Sequence, residues 1–137
     1  MTIAVGQVIP ARIIGSVDPA RMKTLSALMR DPNPIHFDAA AVEALGMGGR
    51  TINQGPSNIA YVLTMLADWV GGSDRITRYQ FRFLGNVFAG DSVRAGGTVA
   101  AVEHRSEGRL VHCALTLDVV GGGRVLQGSA SVLIPQT

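Results

Sequence analysis

The chain has little charge and almost no sulfur chemistry. Of 137 residues only 16% are charged, against 47% hydrophobic. That balance excludes a disordered chain, which needs low hydrophobicity and high charge. It also suggests apolar surface beyond one core, as an oligomer would bury. A single cysteine, Cys113, excludes an internal disulfide framework. The net charge is only +2, with no Lys/Arg run and no basic-aromatic stripe, which argues against a nucleic-acid partner. No apolar stretch reaches the ~20 residues of a membrane span. The start, MTIAVGQVIP, lacks a basic segment followed by a long apolar one, so the expected compartment is the cytoplasm. Repeats, low-complexity segments and linkers are lacking too, so residues 1–137 are expected to form a single domain.

What is present is a helical first half and a strand-rich second half. Residues 5–14 are extended. Asp18 is a natural N-cap and Pro19 a natural first helical residue. Met22, Leu25, Leu28 and Met29 follow helical spacing. Pro32 should stop this helix near Arg30, because the residue before a proline avoids helical geometry. Asp38 caps a short helix over 39–45, ended by Gly46. Residues 46–55 read as a glycine-rich loop. Pro56 opens a helix whose Ile59, Val62, Leu63, Leu66 and Val70 share one face. Tyr61, Met65 and Trp69 fill much of the rest, so it should be buried nearly all round. Gly71 and Gly72 end it. Strands follow over 77–83, 93–102, 111–119 and 126–134, with turns at 88–91, 107–108 and 121–123. Gly96 and Gly97 suggest a bulge. Short turns between consecutive strands predict an antiparallel meander, and the simplest packing wraps that α+β sheet around the apolar helix.

Residues 30–38, RDPNPIHFD, form a rigid non-helical corner with two prolines. Asp31 and His36 are either a proton-transfer pair held at fixed separation or a turn aspartate beside a structural histidine. Asn33 suits side-chain to backbone bonds that hold the corner, with direct substrate contact as the other reading. Asp38 is first a helix cap, or else an orienter of His36. Gly55 precedes Pro56, which has no N–H. Its own N–H is therefore the natural donor at that helix start, unless the glycine is only a turn residue. His104 and His112 lack a metal-ligand spacing with His36, so no metal is expected. Cys113 lies on an apolar stripe and reads as core. Arg78, Arg82, Arg94 and Arg105 are solvated strand residues that could also meet a phosphate.

The stretch Asp31-Pro32-Asn33-Pro34-Ile35-His36-Phe37-Asp38, followed by INQGP (52–56) and FRFLGNVFAGDSV (81–93), resembles the MaoC-like hotdog family. More narrowly it is similar to the (R)-specific enoyl-thioester hydratases, over nearly the whole chain. That resemblance implies an α+β hotdog fold. It implies hydration of trans-2-enoyl thioesters of CoA or a carrier protein to (R)-3-hydroxyacyl thioesters, or the reverse dehydration. Asp31 and His36 would handle water and protons, Gly55 would polarise the carbonyl, and no cofactor would be needed. Two departures stand out: Met29-Arg30 where a small residue and glycine are usual, and Asn53-Gln54-Gly55 where Ala-His-Gly is usual. Family members also work as unequal pairs, so a heteromer is an alternative to the homodimer that an exposed sheet edge predicts. A hotdog thioesterase and a non-catalytic subunit are the other readings. Glu43 and Asp68, the remaining central helical acids, sit in no recognisable motif.

Overall fold

Residues 2–136 are described by a computed structural model. Strand β1 (Val8–Ile14) leads into helix α1 (Pro19–Met29), a 3-10 turn at Pro34–His36 and helix α2 (Ala39–Ala44). Helix α3 (Gly55–Val70) and a 3-10 turn at Ser73–Arg75 precede β2 (Ile76–Phe83), β3 (Val93–Arg105), β4 (Gly108–Val119) and β5 (Arg124–Pro135). Local chemistry sets the helix starts as expected. The Asp18 carboxylate accepts from the Ala20 N–H, and that of Asp38 from the Ala40 N–H, satisfying donors that have no partner inside the helix.

All strand pairs are antiparallel, in the order β1-β3-β4-β5-β2. The meander expectation holds for β3-β4-β5 and fails for β2. That strand lies beyond β5, at the opposite edge from β1 and separated from its sequence neighbour β3. The physical reason is the connection. Residues 84–92 are no tight hairpin. They cross the molecule, with Val87 fully buried and Phe88 bridged to Ile52. The irregularity expected near Gly96 lies in the β1–β3 pairing, where Ile9 faces Gly97 and Arg12 faces Ala95. Gly97 itself is a packing requirement, since a Cβ there would meet the Leu115 side chain at 2.6 Å.

The sheet curls over α3. Val62, Met65, Leu66 and Val70 of that helix are buried against Val99, Val111, Cys113, Leu115, Leu117, Leu126 and Val132 of the inner sheet face. Each fully buried aliphatic side chain contributes about 1.5–3 kcal/mol. The expected all-round burial of α3 is corrected: Ala60, Thr64 and Asp68 are exposed, and Leu63 is only half-buried. The sheet covers one side of the helix, and the 15–54 segment covers only its N-terminal end. Among the described residues, no helix is long and apolar enough to cross a membrane.

Candidate active site

Helix α1 ends in a left-handed residue, Arg30, at φ 51 and ψ 40. The reversal lets the Asp31 N–H reach back to the Ser26 carbonyl at 2.9 Å, the usual way a helix satisfies its last carbonyls. Pro32 and Pro34 then hold the chain extended. Asp31 Oδ1 accepts from the Asn33 N–H at 3.0 Å, which orients the carboxylate. Asn33 Oδ1 in turn accepts from the Ile35 N–H at 3.3 Å and caps the 3-10 turn. Asn33 is exposed, with this bond as the task the structure gives it. Asp38 serves α2 as its cap.

The result is a carboxylate facing an imidazole. Asp31 Oδ2 lies 3.3 Å from His36 Nε2, with the histidine buried and the aspartate partly open. His36 Nδ1 is 2.7 Å from the Ile52 carbonyl. A carbonyl can only accept, so Nδ1 carries a proton and donates it. The neutral ring therefore turns a bare Nε2 lone pair toward Asp31, which is also an acceptor. Two acceptors at this distance require a third party, either a shared proton or a water donating to both.

The segment that supplies the Ile52 carbonyl is a correction to the loop expected over 46–55. Thr51, Ile52, Asn53 and Gln54 are all buried. The Ile52 N–H donates to the Ile35 carbonyl, and the Asn53 N–H to Val87. Asn53 Nδ2 donates to Asn58 Oδ1 and to the Tyr61 hydroxyl. Nothing in the composition of these residues marks them as buried. Four glycines and four polar side chains over 46–55 are the usual signature of an exposed loop.

Gly55 follows as the first residue of α3. Its N–H has no acceptor among the described residues, and Pro56 brings no N–H, so this donor stands alone at the positive end of the helix. The reason for glycine here is space. A Cβ would meet the exposed Phe83 ring at 3.0 Å, so the end of β2 lies directly over the helix start.

Two cavities flank α1. The smaller, about 420 Å³, is the one that Asp31 lines, together with Lys23, Ser26, Arg30, Pro32 and Phe37. The larger, about 520 Å³, lies on the other side and includes neither Asp31 nor His36; Leu25, Leu28, Asn53, Ser57 and Tyr61 line it.

The remaining histidines sit apart. His112 joins Glu103 and Ser131 in a hydrogen-bonded row across β3, β4 and β5. His104 is exposed on β3. Among the described residues, no group of three or more His, Cys, Asp or Glu side chains could hold a metal ion. Burial pushes the Cys113 thiol up to about 11, so it is protonated at neutral pH, as suits a core residue.

Residues 3–121 match the family model described as MaoC like domain. No curated protein matches the chain. Among solved structures, an (R)-hydratase from A. caviae involved in PHA biosynthesis is 24% identical with a TM-score of 0.83, covering 98% of each chain. The R-hydratase PhaJ1 from Pseudomonas aeruginosa is 23% identical over 98% of this chain and 84% of that one, with a TM-score of 0.81. A chain of the ChsH1-ChsH2 complex from Mycobacterium tuberculosis is 20% identical over 97% and 99% of the two chains, with a TM-score of 0.80. At these identities the likeness establishes the hotdog fold.

Proposed function

The chain belongs to the MaoC-like domain family, and from that premise we propose that it hydrates trans-2-enoyl thioesters to (R)-3-hydroxyacyl thioesters, or runs the reverse dehydration. The observation that carries this reading is the acceptor pair formed by Asp31 Oδ2 and His36 Nε2, with the other imidazole nitrogen locked on the Ile52 carbonyl. A water resting on both acceptors donates a proton to each and turns a lone pair outward, toward C3 of a bound enoyl group. As oxygen attacks C3, one acceptor takes the water's proton and C2 receives a proton from the pair. Electron density moves through C2 to the thioester oxygen. The Gly55 N–H at the start of α3 meets that developing charge. Every step is proton transfer or electrostatics, and the named residues supply both.

The (R) outcome rests on the names of the two hydratases of the same fold. A CoA or carrier-protein thioester is the substrate class, and the acyl chain runs along α3. The exposed edge strand β2, with Tyr79 and Phe83 open and Leu84 open just beyond it, favours pairing with a second copy, because unpaired edges invite strand addition. A heteromer is the variant suggested by the two-protein ChsH1-ChsH2 complex. The cytoplasm is the compartment that goes with this reading.

The test is loss of the conjugated thioester absorbance when purified protein meets a series of trans-2-enoyl-CoA substrates, with the product identified. A 3-hydroxyacyl-CoA supports the proposal. Free CoA turns it into a thioesterase. No reaction with free or carrier-bound substrates points to a non-catalytic subunit.

A further inference from the structure

We infer that Gln54 is a positioning residue that moors the helix leading into Asp31 to the helix start carrying Gly55. The inference rests on the proposed roles of those two residues, but the mooring itself is a feature of the fold. Only Met22 and Ser26 of α1 are buried. Both meet the same side chain: Gln54 Nε2 donates to the Met22 carbonyl at 2.8 Å and to Ser26 Oγ at 3.1 Å. The Ser26 carbonyl then accepts the Asp31 N–H at 2.9 Å. One amide group thus reaches the aspartate through a single intervening residue. From its backbone, Gln54 is the N-cap of α3, and its carbonyl accepts from the N–H groups of Ser57 and Asn58. The next residue is Gly55. The carboxylate and the lone helix donor therefore share one anchor, although 24 positions of sequence separate them.

A second observation says that this amide is not filler. Gln54 is 1% exposed, and its Oε1 has no partner among the described residues. The amide cannot simply be turned over, because Oε1 would then face the Met22 carbonyl, acceptor against acceptor. Burying an unpaired carbonyl oxygen is unfavourable, and methionine would fill the same space without it. The glutamine is accounted for by its two donated bonds, which fix where α1 ends. Since a misplacement of about 1 Å in a reacting group can cost 10²-fold, that is where its effect should be read.

The experiment compares wild type with Gln54→Met and Ser26→Ala. Methionine removes the mooring and the unpaired oxygen together, while the Ser26 hydroxyl can turn to the carbonyl four residues back. The expected result is a kcat about 10- to 10²-fold lower, with KM and the melting temperature close to wild type. Faster amide exchange is expected at Asp31 and unchanged exchange through α3. Ser26→Ala, which keeps the Met22 bond, should show a smaller change of the same kind, and it carries the test alone if Gln54→Met does not fold. Unchanged Asp31 exchange overturns the inference whatever the activity. A fall in kcat that merely tracks a fall in melting temperature overturns it too. If wild type hydrates nothing, the proposed function fails, and the exchange measurement alone still decides the mooring.

Discussion

His36 and His112 each face a carboxylate, at 3.3 Å from Asp31 and at 2.7 Å from Glu103. In the proposed function the longer contact is the reactive arrangement, and the reason lies at the other ring nitrogen. His112 Nδ1 meets the Ser131 hydroxyl at 2.9 Å, a group that can donate as well as accept. With a proton on Nε2 for Glu103 and the hydroxyl donating to Nδ1, the neutral ring is fully satisfied. His36 Nδ1 meets a backbone carbonyl, which can only accept. Its neutral ring is therefore left with a bare nitrogen against a bare carboxylate oxygen. The first pair is a closed cross-strand ladder on the outer sheet face; the second is an open site for water. Surroundings reinforce the difference. His36 is buried and its partner Asp31 lines a cavity, whereas the Glu103 side chain is half exposed.

The comparison breaks most visibly under substitution. Asp31→Asn and His36→Ala should each lower kcat by about 10²–10⁴, the range for a general acid or base. The double variant should be little worse than either, because the groups act on one water as a unit. His112→Ala should hydrate enoyl-CoA at the wild-type rate. Steady-state kinetics on the four proteins checks all three statements. Equal losses at His36 and His112 would show that the tautomer argument selects the wrong pair.

The next effect sharpens the role of the helix start. Gly55→Val puts branched carbon where the Phe83 ring already lies 3.0 Å from a Cβ. It should lower kcat by about 10² or more, the scale of one lost oxyanion donor. Because Phe83 is exposed and free to swing, the circular dichroism spectrum should stay that of the wild type. Normal hydration by this variant would mean that the carbonyl is held elsewhere.

Much of this was legible in local sequence and some was not. Asp18-Pro19 and Asp38 announce their helices because a cap acts on residues two positions away. Val111, Cys113, Leu115 and Leu117 announce a half-buried strand because alternation is local too. The Asp31–His36 corner was readable for the same reason: two prolines and an asparagine build it from nine neighbouring residues. The place of β2 was not readable, since only the buried crossing at Val87 takes the chain to the far edge. Nor was the burial of Thr51–Gln54, whose polar groups, Gln54 Oε1 apart, find partners in α1, the 3-10 turn, the 84–92 crossing and α3. The Ile52 carbonyl, which fixes the His36 tautomer, is a backbone atom in that segment, and backbone atoms leave no trace in residue identity.

A smaller effect concerns the residue before the dyad. Arg30 holds a left-handed conformation that favours glycine, the residue usual at this position in the family that the sequence resembles. A side chain in that region costs about 1–2 kcal/mol, offset by the extra freedom glycine gives the unfolded chain. Arg30→Gly should therefore raise stability by about 0.5 kcal/mol, seen as a small rise in melting temperature. A fall would mean that the Arg30 side chain contributes more than its backbone strain removes.

The smallest effect belongs to the closed ladder. The hydrogen bond from Arg105, and then that from His112, hold the Glu103 carboxyl below its ordinary value. A carboxyl depressed by folding stabilises the protein above its unfolded value and ceases to do so as pH falls through the folded one. The affected window therefore lies below about 4.5, the ordinary value of the group. Solvent screening around the exposed carboxylate keeps the contribution slight. Glu103→Gln should flatten the acid limb of a stability-against-pH curve by a small, salt-sensitive amount and leave kcat at neutral pH untouched. Urea titrations from pH 3 to 7, run at low and high salt, measure this. A large loss of stability at neutral pH would mean that the outer-face pair does more for the fold than its exposure allows. A loss of kcat would mean that the two histidine–carboxylate pairs differ less in function than the partners of their second nitrogens imply.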